Sequence, residues 1–291
     1  MLKFYMMYKM YAILLFTALV GSSFVENPDK VLSKKLRDTY QYVAPGIVLN
    51  DEREVNVEGF YMMATEVSNL HYKEYLAYLK RIGAKEELEI AQVRIEGWQE
   101  EPYQKSYFDH PAYEDYPVVN ITKQAAESYC AFLEEILNQS GQVKEGYKVV
   151  HCRLPVRDEW ILAAQAGKTY AIYPWGGYYT RNSKGSALAN FNPIGTEQIS
   201  YDQSSGKYIV VENGNPKNIA IGPSPIHAYF PNDFGFYNMS GNIAEMISDE
   251  NIAMGGSWKS TGYDIRIQSE ISFQDFSPEV GFRPVFQIVQ E

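Results

Sequence analysis

At ~100–200 residues per domain, a chain of 291 residues holds one large domain or two small ones. Hydrophobic residues at 45% and charged residues at 21% exclude a disordered or fibrous chain. The 36 acidic residues against 26 basic leave a net charge of −10, which excludes the broad basic face that nucleic acid requires.

In chain order, a head carrying Lys3 and Lys9 precedes an apolar run of eleven residues, Met10 to Val20. A bilayer span takes about 20 residues, so the run is too short to cross and has the form of a signal-peptide core. Gly21-Ser22-Ser23 supplies small residues for cleavage, and no cysteine is present for a lipoprotein signal. Removing residues 1–23 takes away two lysines and no acid, so the charge falls from −10 to −12. The expected location is periplasmic or secreted. An uncleaved anchor is the alternative, and the only expected tie to a membrane.

Residues 24–54 are polar and mixed and read as a lead-in segment, with one domain expected over 55–291. Phe60 to Met63 reads as a short strand. Ser68 or Asn69 then caps a helix whose Tyr72, Tyr75, Leu76, Leu79 and Ile82 recur at helical spacing, and Gly83 stops it. Residues 84–118 read as irregular. Thr122 opens a second helix with Ala125, Ala126, Tyr129, Cys130, Leu133, Ile136 and Leu137 on one stripe, ended by Gly141. Tyr147 to Leu154 is strand-like, and Pro155 suits the first turn of a third helix ending at Gly167. Beyond 167 no helical period appears, which predicts a core of ordered loops whose backbone groups need side chains, water or ions as partners.

His71, His110, His151 and His227 are scattered, with no pair at metal-ligand spacing, and Cys130 and Cys152 are too few for a zinc framework. These two read either as core thiols or as one disulfide.

Several segments resemble the formylglycine-generating enzyme, or sulfatase-modifying factor, family. Glu66-Val67-Ser68-Asn69 with Tyr72 is similar to the family's EVTNxxY. Pro117-Val118-Val119-Asn120-Ile121-Thr122 followed by Tyr129-Cys130 is similar to PVxxVSW…AYC. Arg153-Leu154-Pro155, with Glu159-Trp160, resembles RLPTEAEW, although Val156 replaces the capping Thr. The stretches from Gly235 to Glu245, Gly255 to Trp258, and Gly281 to Arg283 follow in family order. The resemblance implies an α+β, C-type-lectin-like fold, irregular and loop-rich, with few short helices and strands.

The resemblance also implies metal sites. Calcium takes six to eight oxygen ligands, and Asn238, Gly241, Ile243 and Glu245 stand where the family holds one such ion. Asn190 and Phe191 stand where it holds a second. The family's oxidase further uses copper on two cysteines of a GGS(Y/W)xCxxxxC stretch. Here Ser260 takes the first cysteine position, and the second falls at Ile265 or in a deletion. No cysteine follows Cys152, and Cu(I) prefers thiolates, so copper and formylglycine formation are not expected.

The function expected is an exported, non-catalytic member of the family that binds a protein or glycan as a component of the cell envelope. Exported members without the cysteines resemble gliding- and secretion-associated assembly proteins. The alternative is an enzyme with copper-independent chemistry in the stretch holding Ser257, Ser260, Tyr263 and Arg266, with His227 as its candidate base. Trp98, Tyr103, Tyr107, Tyr113 and Tyr116 read either as interface aromatics or as filling of a loop core.

Overall fold

A computed structural model of the chain describes residues 30–50, 53–98, 106–194, 199–210, 222–249 and 251–291. The expected signal peptide lies outside them.

Five α-helices are described. These are α1 (Lys34–Thr39), α2 (Asn69–Ile82), α3 (Lys85–Ile90), α4 (Lys123–Gln139) and α5 (Arg157–Gln165). Ser68 caps α2, its Oγ accepting the His71 N–H at 3.2 Å, and Gly83 closes the helix in the left-handed region at φ 75°. Thr122 caps α4, accepting the Ala125 N–H at 3.1 Å. These ends satisfy amide donors that a helix leaves without partners.

The helices α2 and α4 pack with a four-stranded antiparallel sheet. Its strands are β1 (Tyr40–Val43), β4 (Phe60–Met63), β12 (Val285–Gln290) and β5 (Tyr147–Arg153), in that order. Rings fill the space between the layers. Tyr72 stacks on Tyr129 at 5.9 Å, Tyr129 meets Phe282 edge-on at 5.3 Å, and Tyr61 stacks on Phe286 at 5.3 Å. Cys130 lies within this core, Cys152 packs against it, and both are free thiols. Burial, with the Cys152 thiol adjacent, holds the Cys130 pKa well above its ordinary value.

A second sheet runs β10 (Glu270–Ser272), β9 (Ile252–Met254), β8 (Ala244–Met246), β11 (Val280–Phe282), with β8 and β11 parallel. Two hairpins complete the strands: β2 (Gly46–Asn50) with β3 (Arg53–Val57), and β6 (Ile199–Asp202) with β7 (Lys207–Val210). After α5 the described residues contain no further α-helix, which matches the expectation of a loop-built second half.

Three expectations need correction. The lead-in is part of the domain: β1 pairs with β4 from Tyr40 to Val43, with Tyr40, Val43 and Val48 buried. Pro45-Gly46 broke the sequence pattern into pieces too short to show a period. Residues 85–90, expected to be irregular, form α3 with no buried residue, so no apolar stripe announced it. Pro155 precedes α5 rather than opening it, and Val156 is the N-cap. Valine has no side-chain oxygen, and the end is secured instead by Glu159, which accepts the Val156 N–H at 2.9 Å. Arg153 grips the same carboxylate with two bonds, at 2.7 and 2.8 Å.

Candidate functional site

The serine stretch leaves β9 through Gly255 and Gly256, at φ 84° and 71°. A Cβ at Gly256 would lie 2.6 Å from the Asp264 carbonyl oxygen, so glycine lets the loop fold back on itself. Inside this loop Ser260 Oγ accepts the Ser257 N–H at 2.9 Å, and Ser257 Oγ accepts the Lys259 N–H at 3.2 Å. Ser257 Oγ donates to Glu279 Oε2 at 2.6 Å, and Lys259 Nζ pairs with Glu279 Oε1 at 3.3 Å.

The structure therefore brings Ser257 and Ser260 together and adds Glu279, which the sequence did not single out. A carboxylate holding a serine hydroxyl resembles the start of a nucleophile–base pair. Ser257, however, is 0% exposed, and Lys259 already neutralises the carboxylate. The arrangement is suited to fixing the loop. Ser257→Ala is expected to cost about 1.5–3 kcal/mol, the range for a hydrogen bond to a charged group, read as a lower urea midpoint.

His227 stands elsewhere. Its ring meets Tyr237 edge-on at 5.1 Å, and no hydrogen bond links it to either serine among the described residues. Arg266 also parts from the serines. Its guanidinium lies 3.4 Å from the Tyr263 ring centroid, and its Nε donates to the Tyr263 carbonyl at 2.8 Å.

The residues expected to hold calcium form a buried polar centre. Glu245 is 1% exposed and Arg283 is 0% exposed. Arg283 donates to Glu245 Oε1 at 2.6 Å and to Oε2 at 2.9 Å, while the Trp160 indole donates to Oε2 at 2.8 Å. The same guanidinium donates to the Met63 carbonyl at 3.0 Å and the Tyr237 carbonyl at 2.8 Å. Asn238 gives its amide hydrogens to Glu66 Oε2 and the Ile226 carbonyl, at 3.1 and 3.0 Å.

Glu245, expected as a calcium ligand, has its carboxylate engaged by Arg283 and Trp160, while Asn238 commits only its amide hydrogens. Gly241 makes a close approach to the Asn190 carbonyl, and the Ile243 side chain packs with Trp98, Tyr107, Val119 and Trp258. Asn190, expected at a second calcium, donates its amide to the Gly222 carbonyl and to Asn242 Oδ1, both at 3.1 Å. Phe191 is buried with Tyr173, Ala189 and Ile265. Among the described residues no three His, Cys, Asp or Glu gather as metal ligands.

Glu66 is the second carboxylate of this centre, fully buried, accepting Asn242 Nδ2 at 2.8 Å beside the Glu245–Arg283 pair. Burial is the largest influence on it, and it pushes the pKa up to about 7 although Arg283 draws it down. Between its ordinary value of 4.5 and about 7, the folded state binds the proton that the unfolded state has released. Stability should therefore be greatest below that window and fall as pH rises through it. Thermal melts across this window should show the decline, and Glu66→Gln should flatten it.

Copper does not fit the chain's residues. Ser260 offers a hydroxyl already bonded within the loop, and Ile265 is a buried hydrocarbon. Both cysteines belong to the separate core around α4 and β5.

Of the aromatics read as interface or filling, Trp98 and Tyr107 are buried, with Tyr113 and Tyr116 packed beside them, so they fill a loop core. Tyr103 lies outside the described residues. The most exposed rings among the described residues are instead Tyr170, Tyr178, Tyr179, Tyr208, Phe230 and Tyr263, which sequence pattern alone did not separate from the buried ones.

Two small sheets, two core helices and long ordered loops around a buried glutamate–arginine centre define a C-type-lectin-like domain of the formylglycine-generating type. The sulfatase-modifying factor enzyme 1-like domain matches residues 33–288, and the chain belongs to that family. It is 26% identical over 223 residues to the formylglycine-generating enzyme of Mus musculus, covering 68% of this chain and 50% of that protein. It is 27% identical over 156 residues to the Bos taurus protein named inactive C-alpha-formylglycine-generating enzyme 2, covering 50% of this chain and 40% of that one. The chain thus spans about half the length of the curated relatives it matches. Among solved structures, CarF superposes with a TM-score of 0.54 at 20% identity, covering 84% of this chain and 97% of CarF. PvdO from Pseudomonas aeruginosa gives 0.52 at 17% identity, covering 85% and 94%.

Proposed function

We propose that this chain is a non-catalytic member of the family that acts by binding, as an exported component of the cell envelope. The observation that carries the reading is chemical: a hydroxyl stands at Ser260, where the resemblance puts the first thiolate ligand, and no cysteine follows Cys152 to supply the second. No rearrangement of the loop supplies a sulfur atom. The family also contains relatives whose names mark them as inactive, which supports a role without the oxidation. The burial of Ser257 weighs against a serine chemistry in its place. Export is supported by Lys3, Lys9 and the apolar run from Met10 to Val20.

The test is to incubate the purified chain with a sulfatase-type cysteine peptide and copper and to follow the peptide by mass spectrometry. The expected result is an unmodified cysteine. Conversion to formylglycine above a copper-only control would overturn the reading. Fractionation of expressing cells should find the chain outside the cytoplasm, and a cytoplasmic pool alone would remove the envelope assignment.

A further inference from the structure

Arg266 opens onto a cavity of about 460 Å3 whose wall contains neither serine of the candidate site. This volume is in the range of small-molecule sites. Leu49 of β2, Gln165 at the end of α5, Tyr170 and Ile172 of the following loop, and Arg266 and Gln268 are among the residues that line it. Gln165 is buried, 3% exposed, and its amide donates to the Thr169 carbonyl at 2.9 Å. Tyr170 is 83% exposed, an uncovered ring at the edge of a polar wall.

The electrostatics of the wall run against those of the chain. The protein carries a net charge of −10, yet Arg266 is the charged residue of this lining and no carboxylate joins it among the described residues. No ion pair to Arg266 is found among them either. The Tyr263 ring and carbonyl hold the guanidinium in place by its face and its Nε edge. That leaves the Nη1–Nη2 edge, whose parallel donors match the two oxygens of a carboxylate. One such fork suits a monoanion.

The remaining wall matches a body that is polar at its rim and apolar on its faces. The side-chain amide of Gln268 can exchange hydrogen bonds with hydroxyls, and a tyrosine ring offers an apolar face with a polar tip. We propose that this cavity binds a carboxylated monosaccharide, of the hexuronate or sialate class, with its carboxylate on Arg266 and its ring face on Tyr170. The proposal deepens the reading of the chain as a binding protein and rests on it.

Calorimetric titration of the purified chain tests it with glucuronate, glucose, acetate and a short peptide ending in a free carboxylate. Glucuronate is expected to bind, with glucose and acetate each at least about tenfold weaker, because each lacks one of the two recognition elements. Arg266→Gln should weaken glucuronate about tenfold or more. Tyr170→Ala, at an exposed ring with little part in folding, should weaken it while leaving the melting temperature unchanged. Absence of glucuronate binding, equal binding of glucose, or indifference to both substitutions would overturn the proposal. Tighter binding of the peptide would overturn it in favour of a peptide terminus. These outcomes are separable from the earlier reading: formylglycine in the peptide-conversion assay sinks that reading whatever the sugar does. Silence of both assays removes only the sugar.

Discussion

Arg283→Met is expected to cost about 3–5 kcal/mol of folding free energy, because it leaves a carboxylate buried without its countercharge. Glu245 is 1% exposed, so water does not reach it to replace the guanidinium. The loss extends beyond the ion pair, since the Met63 and Tyr237 carbonyls lose donors at 3.0 and 2.8 Å as well. These bonds tie β4, the 237–245 loop and the last strands together around one side chain. Adding Glu245→Gln to Arg283→Met should recover part of the stability, on the order of 1 kcal/mol or more, by removing the stranded charge while keeping an acceptor for Trp160. Urea unfolding of the three proteins measures both differences. A single variant within about 1 kcal/mol of the parent would show that the buried carboxylate does not depend on Arg283.

Gly241→Ala should be the second large loss, at about 3 kcal/mol. The residue has φ 73°, and its added Cβ would stand 2.3 Å from the Asn190 carbonyl oxygen. The left-handed backbone alone costs roughly 1–2 kcal/mol for a residue with a Cβ. The clash adds to it because backbone, unlike a flexible side-chain tip, has little room to retreat. Retreat would also break the bond from the Asn242 N–H to that same oxygen, 2.7 Å long. Gly83 supplies the control: its φ is 75° and nothing lies within 4 Å of its Cβ position. Gly83→Ala should therefore show the backbone cost alone. Equal losses at the two positions would mean that the approach to Asn190 contributes nothing.

Much of the fold was legible because its signals are local. Ser68 and Thr122 cap their helices as their side chains suggest, and Gly83 ends one through its positive φ. Trp160 and Phe282, both inside the matching segments, are buried, each 0% exposed. The charged centre was legible only in outline. Arg283 closes one of the matching segments, and the structure adds Glu245, 38 residues away, as its ion partner. Glu66 and Asn242 are separated by 176 positions, and no spacing rule reports on such a pair. The same limit hid Glu279, 22 residues beyond Ser257, and left Arg266 grouped with serines that do not line its cavity.

What the sequence determined by itself is what depends on atoms and on near neighbours. Helix ends, apolar stripes and the missing sulfur at Ser260 and Ile265 hold wherever the chain folds, because side-chain chemistry and short-range backbone geometry carry them. Only the tertiary structure decided that β1 joins the central sheet, that Arg283 occupies the carboxylate expected to hold calcium, and that Arg266 faces a cavity of its own. Those outcomes depend on which distant segments meet. A buried charge takes whatever partner the packed chain brings within hydrogen-bonding distance, and the sequence lists candidates for that partner without ranking them.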